Sequence, residues 1–190
     1  MTVDAIFEAG IQVLLHAGTE RFTTTRVAER AGVSVGTLYQ YFPNKQALLL
    51  ALLERHLVHV LDAVEAACGK VRGQSLASMA KALVDSFVDA KMERPEVSLA
   101  LYPVALDTAG AAIVTRLTQK SQLALCELLA SAPESIADLR LTSFVLSTAL
   151  VGPVQATLAE GAPPAMVAAV RQQLVAMVTG YLEQVATKRS

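Results

Sequence analysis

Residues 23 to 45, TTTRVAERAGVSVGTLYQYFPNK, restrict the fold more than any other stretch: two short helical patterns flank one glycine, and Pro43 and Asn44 then stop the run. Three threonines follow Phe22. Hydroxyl side chains just before a helical pattern accept hydrogen bonds from first-turn amides that have no partner inside the helix, so Thr23 or Thr24 is the expected N-cap. Val27, Ala28 and Ala31 share one face while Arg26, Glu29 and Arg30 point elsewhere, which predicts a helix of about two turns. Gly32 ends it, because glycine adopts the left-handed conformation of a helix terminus at little cost, and Ser34 is placed to cap the next helix. Two helices joined this way form a helix-turn-helix.

In such a motif the second helix enters the major groove by its N-terminal end, which makes residues 35 to 41 the candidate reading surface. Val35 and Gly36 open that helix; Gly36, without a side chain, lets the backbone come close to phosphates or base edges. Thr37 presents a hydroxyl and a methyl group, the second suited to a thymine. Leu38 and Phe42, four apart, are expected to face the core, leaving Tyr39, Gln40 and Tyr41 to spread their polar tips toward phosphates. Lys45 begins a third helix, where a cation and free amides meet a phosphate. Thr24, Thr25, Arg26 and Ser34 complete the candidate DNA-contacting set. The bland alternatives are a helical corner in an ordinary bundle, half-buried tyrosines and a solvated lysine.

Charge is distributed unevenly. Arg21, Arg26, Arg30, Lys45 and Arg55 balance Asp4, Glu8, Glu20, Glu29 and Glu54, so the first 55 residues are neutral, although phosphate-binding domains are usually basic. Residues 21 to 45 hold four of those cations and only Glu29, which concentrates positive charge on the docking segment. MTVDAIF carries no arginine. Either a basic arm lies outside this sequence, or binding uses fewer phosphate contacts and has a shallower salt dependence.

These residues resemble the DNA-binding segment of the TetR family of bacterial transcriptional regulators, in its AcrR-like branch: a hydroxyl pair, then AGVS, GTLY, YF and a lysine. The resemblance covers roughly residues 5 to 55, including an upstream helix ending in His16, Ala17 and Gly18. It implies a ligand-responsive regulator, more commonly a repressor, that binds a near-palindromic double-stranded operator as a homodimer. It also implies a diverging C-terminal helical domain that binds a small-molecule effector, and no cofactor.

The remaining chain reads as helices separated by breakers, so the expected fold is all-α: a three-helix DNA-binding domain over residues 1 to 46 and a helical ligand-binding and dimerisation bundle over 47 to 190. Helices are predicted over about 45 to 67, 75 to 94, 95 to 107, 111 to 132, 135 to 160 and 164 to 186, with no strand. Pro153 is expected to kink or interrupt its helix. Hydrophobic residues make up 53% of the chain and charged ones 17%, more apolar surface than a thin bundle needs, so some should line a pocket or a subunit interface. Met79, Leu83, Phe87, Tyr102, Leu106 and Phe144 are the candidate pocket, combining apolar bulk with one hydroxyl. The scarcity of ionisable groups among them argues against a highly charged effector.

Small and apolar residues mix over 143 to 157, as helices that approach closely require. The family's last two helices commonly pair with those of a second subunit, which implies Ser147, Val151, Val154, Val170, Leu174, Met177, Val178 and Tyr181 as dimer contacts; packing within one chain is the alternative. Cys68 and Cys126 read as inert small hydrophobes, and His56, His59 and Asp62 lack a further ligand to close a metal site. No nucleophile and base converge, so an enzyme is not expected. No apolar run reads as long enough and uninterrupted enough for a membrane span and no signal-type core opens the chain, so a cytoplasmic location is expected. A helical adaptor that has lost operator binding is the competing reading.

Overall fold

A computed structural model describes residues 3 to 187. The fold is all-α, in the order α1 (Val3–Arg21), α2 (Thr24–Ala31), α3 (Val35–Tyr41), α4 (Lys45–Gly69), α5 (Leu76–Met92), α6 (Pro95–Ala100), α7 (Tyr102–Leu106), α8 (Thr108–Ala130), α9 (Leu139–Ala159) and α10 (Pro164–Val185). Two features depart from the helical reading. Ser135–Ile136 (β1) pairs antiparallel with Ala186–Thr187 (β2), a strand pair too short to carry an alternating pattern in the sequence. The single helix expected over 95 to 107 is instead α6 and α7, because Pro103 in the first turn of α7 has no amide to continue the ladder.

The chain divides into two compact units. The first unit runs to Leu57 and takes back Glu96–Val114. Its core is Ile6, Val13 and Leu14 of α1, Phe22, Val27, Ala28, Leu38 and Phe42 of the next two helices and their flanks, and Leu48, Leu49, Leu52 and Leu53 of α4. Val97, Leu101 and Val104 join that cluster from α6 and α7, which is why a segment distant in sequence belongs to this unit. Phe7 meets Phe42 edge to face with ring centres 5.6 Å apart, and Arg55 stacks 4.7 Å over Phe7 while pairing with Asp4 at 2.6 Å.

The second unit holds Val58–Pro95 and the chain from Thr115 onward. Leu76, Met79, Ala80, Leu83, Val84 and Val88 of α5 bury together with Leu125, Leu128 and Leu129 of α8, Leu146, Leu150, Val154 and Leu158 of α9, and Leu174, Val178 and Leu182 of α10. Arg171 of α10 bonds to the Asp85 carboxylate at 3.3 Å and to Asp89 at 2.5 Å, and Lys81 pairs with Asp85 one turn along α5. Asp138 caps α9, its carboxylate accepting from the Leu141 amide at 2.9 Å.

Helix α9 runs through Pro153 without interruption, so of the kink or break expected there the break does not occur; Leu150, Val154 and Leu158 are buried on both sides of the proline. Helix α9 is long and apolar enough to cross a membrane by length and composition, where the sequence was expected to hold no apolar run long and uninterrupted enough for a span. Its buried side, with Thr142, Ser143 and Thr157 beside the leucines, packs in the core of the second unit.

Candidate nucleic-acid interface and effector cavity

The turn between α2 and α3 is built by local chemistry. The Thr23 side chain accepts from the Arg26 amide at 3.3 Å and so caps α2. Gly32 closes α2 at φ 68°, its amide bonding back to Glu29, and the Val33 amide bonds to the Ala28 carbonyl at 2.9 Å. Ser34 caps α3: its hydroxyl accepts from the Thr37 amide at 3.0 Å and shares a 2.8 Å hydrogen bond with the Thr37 hydroxyl. Asn44 then caps α4 through the Ala47 amide at 2.8 Å.

Helix α3 buries only Leu38 and turns the rest of its surface outward. Gly36, Tyr39, Gln40 and Tyr41 are exposed, and Val35 and Thr37 half-buried. Thr25, Arg26 and Ser34 are exposed as well. Thr24 is different: it is buried, and its hydroxyl shares a 3.2 Å hydrogen bond with the phenol of Tyr39, which is itself 48% exposed. Thr24 therefore holds Tyr39 in place and contributes little outer surface. Two cations are held by the end of α1. Arg26 donates from Nη1 to the Arg21 carbonyl at 3.0 Å, and Lys45 donates from Nζ to the Glu20 carbonyl at 3.3 Å. The partial negative charge at a helix C-terminus attracts both, and each keeps further N–H donors for an anion.

The candidate pocket residues are not gathered. Met79 and Leu83 lie in the core of the second unit with Phe87 packed against it, whereas Tyr102 and Leu106 are exposed on α7 of the first unit. Phe144 is exposed on α9. A cavity of about 250 Å³ in the second unit is lined by Leu61, Val64, Glu65, Cys68, Gly69 and Arg72 of α4 and the segment after it, by Leu83 of α5, and by residues of α8 that include Ser121, Leu125 and Leu128. Leu83 alone of the six lines it. The signal for this cavity was a stripe on one face of α4, Leu61, Val64 and Cys68, with Glu65 set among apolar neighbours. Burial pushes the Cys68 thiol up to about 11, which makes it a neutral wall at pH 7.

The candidate dimer residues also separate. Val154, Leu174 and Val178 are buried in the chain's own core. Val151 and Met177 are exposed, with Leu141 and Phe144 on the same helix as Val151, while Ser147, Val170 and Tyr181 are half-buried. His56 bonds to Ser98 at 3.0 Å, and His59 pairs with Glu93 at 2.7 Å. Among the described residues no group of three or more metal-ligating side chains comes together.

Two family models match the chain. "Bacterial regulatory proteins, tetR family" matches residues 6–52, and "Tetracyclin repressor-like, C-terminal domain" matches residues 75–182. An uncharacterized HTH-type transcriptional regulator of Bacillus subtilis, YvdT, is 33% identical over 70 residues, which are 37% of this chain and only 34% of that protein's length. Among solved structures, the fatty acid degradation regulator FadR from Bacillus halodurans superposes with a TM-score of 0.69 at 21% identity, covering 92% of this chain and 98% of that one. The regulator FadR from Bacillus subtilis, solved in complex with stearoyl-CoA, does so at 0.76 and 14% identity, covering 94% and 98%. At these identities the superpositions speak for the fold, and the family models for kinship. The C-terminal model by itself spans more than half of the sequence, and with the N-terminal match over the helix-turn-helix it shows that this chain belongs to the TetR family of bacterial transcriptional regulators.

Proposed function

We propose that this protein is a ligand-responsive repressor that binds a near-palindromic operator as a homodimer and leaves it when a small, mainly apolar effector occupies the second unit. The observation that carries the reading is α3, a helix that buries Leu38 alone and presents Tyr39, Gln40 and Tyr41 outward. Thr37 and Gly36 meet base edges, while Thr25, Arg26, Tyr39, Tyr41 and Lys45 hold phosphates. The exposed apolar side chains Phe144, Val151 and Met177 support pairing of α9 and α10 with a second copy. A two-fold axis then sets the two reading helices roughly 34 Å apart, in successive major grooves.

Release follows from linkage. An effector that favours a dimer with a different spacing of the reading helices lowers operator affinity by its differential affinity for the two forms. Helix α4 is the lever, because its first turns carry Lys45 and its later ones line the cavity. The protein acts in the cytoplasm by binding and carries out no catalysis of its own.

The test is selection of bound fragments from genomic DNA with the purified protein, followed by mobility shifts. The expected site has two related half-sites one helical turn apart, Tyr39→Ala and Lys45→Ala each weaken it without unfolding the protein, and Val151→Glu yields monomers that bind it poorly. The neutral charge of the first 55 residues favours, as the second reading, an adaptor without operator affinity. Enrichment of no sequence at low salt would decide for it.

A further inference from the structure

The cavity of the second unit has a chemical preference that its lining residues define. Its floor is apolar: Leu61, Val64, Leu83, Ala124, Leu125 and Leu128. Apart from the Ser121 hydroxyl and the Cys68 thiol, its polar side chains are charges already balanced. Arg72 lies 3.6 Å from Glu127, and Glu65 lies 3.5 Å from Lys120. Glu65 Oε1 is buried and accepts no hydrogen bond from the protein, since at 3.5 Å the lysine supplies charge without a formed bond. Glu65 lines the cavity, so an apolar molecule filling it would cover a carboxylate at a cost that a ligand donor to that carboxylate offsets.

We propose that this cavity takes a compact neutral molecule, apolar over most of its surface, that donates one hydrogen bond to the Glu65 carboxylate: a phenol or an alcohol. This rests on the reading of the second unit as the effector-binding one. A ligand carboxylate would stand beside Glu65 and Glu127, and a ligand ammonium beside Arg72 with Lys120 already against Glu65, so either charge meets repulsion that a hydroxyl avoids. The Cys68 thiol, neutral at pH 7, adds no charge to that balance. Size sets a second limit. At about 250 Å³ the space is smaller than the roughly 300–1,000 Å³ of drug-sized pockets, which suits one ring with a short chain.

The test is titration calorimetry of the full chain, without DNA, using four probes of one shape: para-propylphenol, para-propylanisole, para-propylbenzoate and para-propylbenzylamine. The phenol is expected to bind about tenfold or more tightly than the anisole, which lacks the donor, with the two charged probes weaker still. Glu65→Met should erase the difference between phenol and anisole, and Leu83→Trp, which fills the cavity, should weaken every probe. If Glu65→Met fails to fold by circular dichroism, Glu65→Gln must narrow the preference instead. Equal binding of phenol and anisole, tighter binding of a charged probe, no binding of any, or a phenol preference that survives loss of the Glu65 carboxylate would each overturn the proposal. Because no operator enters the measurement, a failed probe series leaves DNA binding standing, and a failed operator selection leaves the cavity's preference to be read by itself.

Discussion

Thr24 and Tyr39 show how one side-chain pair sets the form of the proposed interface. A buried threonine bonds a phenol that is half in solvent, so the ring of Tyr39 is oriented before any phosphate arrives. Preorganisation of this kind lowers the ordering cost of binding. Thr24→Val keeps the shape and removes the hydroxyl, and it should weaken operator binding about three- to tenfold, the worth of one hydrogen bond, while Thr24→Ser restores it. Fluorescence anisotropy with the selected operator measures this; equal affinity for the valine variant would remove the positioning role. The caps at this scale were legible in the sequence. Thr23, Gly32 and Ser34 act on backbone groups within a few residues, and local chemistry repeats wherever the pattern does. The Thr24 to Tyr39 bond joins residues fifteen apart and became visible only once α2 and α3 were packed.

At the scale of elements, the crossing of α7 and α8 depends on an absent side chain. A Cβ built on Gly110 would lie 1.9 Å from the Val104 carbonyl oxygen, so the backbone of α7 would have to move. Gly110→Ala is therefore expected to cost about 1–3 kcal/mol, the range of an overpacked core, and differential scanning calorimetry would show it as a lower Tm. A variant melting with the wild type would mean that the two helices separate freely. Helix starts and stops were largely readable, since proline, glycine and capping residues act where they stand. Pro103 and Pro153 show the limit: the first splits a predicted helix, while the second sits inside α9. Buried leucines on either side of Pro153 outweigh the one hydrogen bond the proline removes.

Over the whole molecule, the second unit is tied by charge as well as by its core. Partial burial pushes the Asp85 carboxyl up, but hydrogen bonds and charge from Lys81 and Arg171 outweigh it and hold it below the usual carboxylate value. The folded pKa is thus lower than the unfolded one. The stability this contributes is present in full above the unfolded value of about 3.9 and is lost as pH falls through the folded value. Asp85→Asn should accordingly melt below the wild type at neutral pH, with a gap that stays constant down to about pH 5 and closes at more acid pH. A gap that persists unchanged at the acid end of a series of thermal melts would show that the carboxylate's charge is not what stabilises α5 against α10.

The order of helices and the helix-turn-helix follow from the sequence itself, because they rest on periodicity, caps and one glycine, all of which act over a turn or two. The cavity and the division into units were decided by tertiary packing. Leu101 and Val104 join the core of the first unit, Tyr102 and Leu106 of the same unit stay outside that core, and Glu65 lines a cavity with Leu125, since burial depends on which faces meet across long separations. Helical spacing says which residues share a face and leaves open what that face will find.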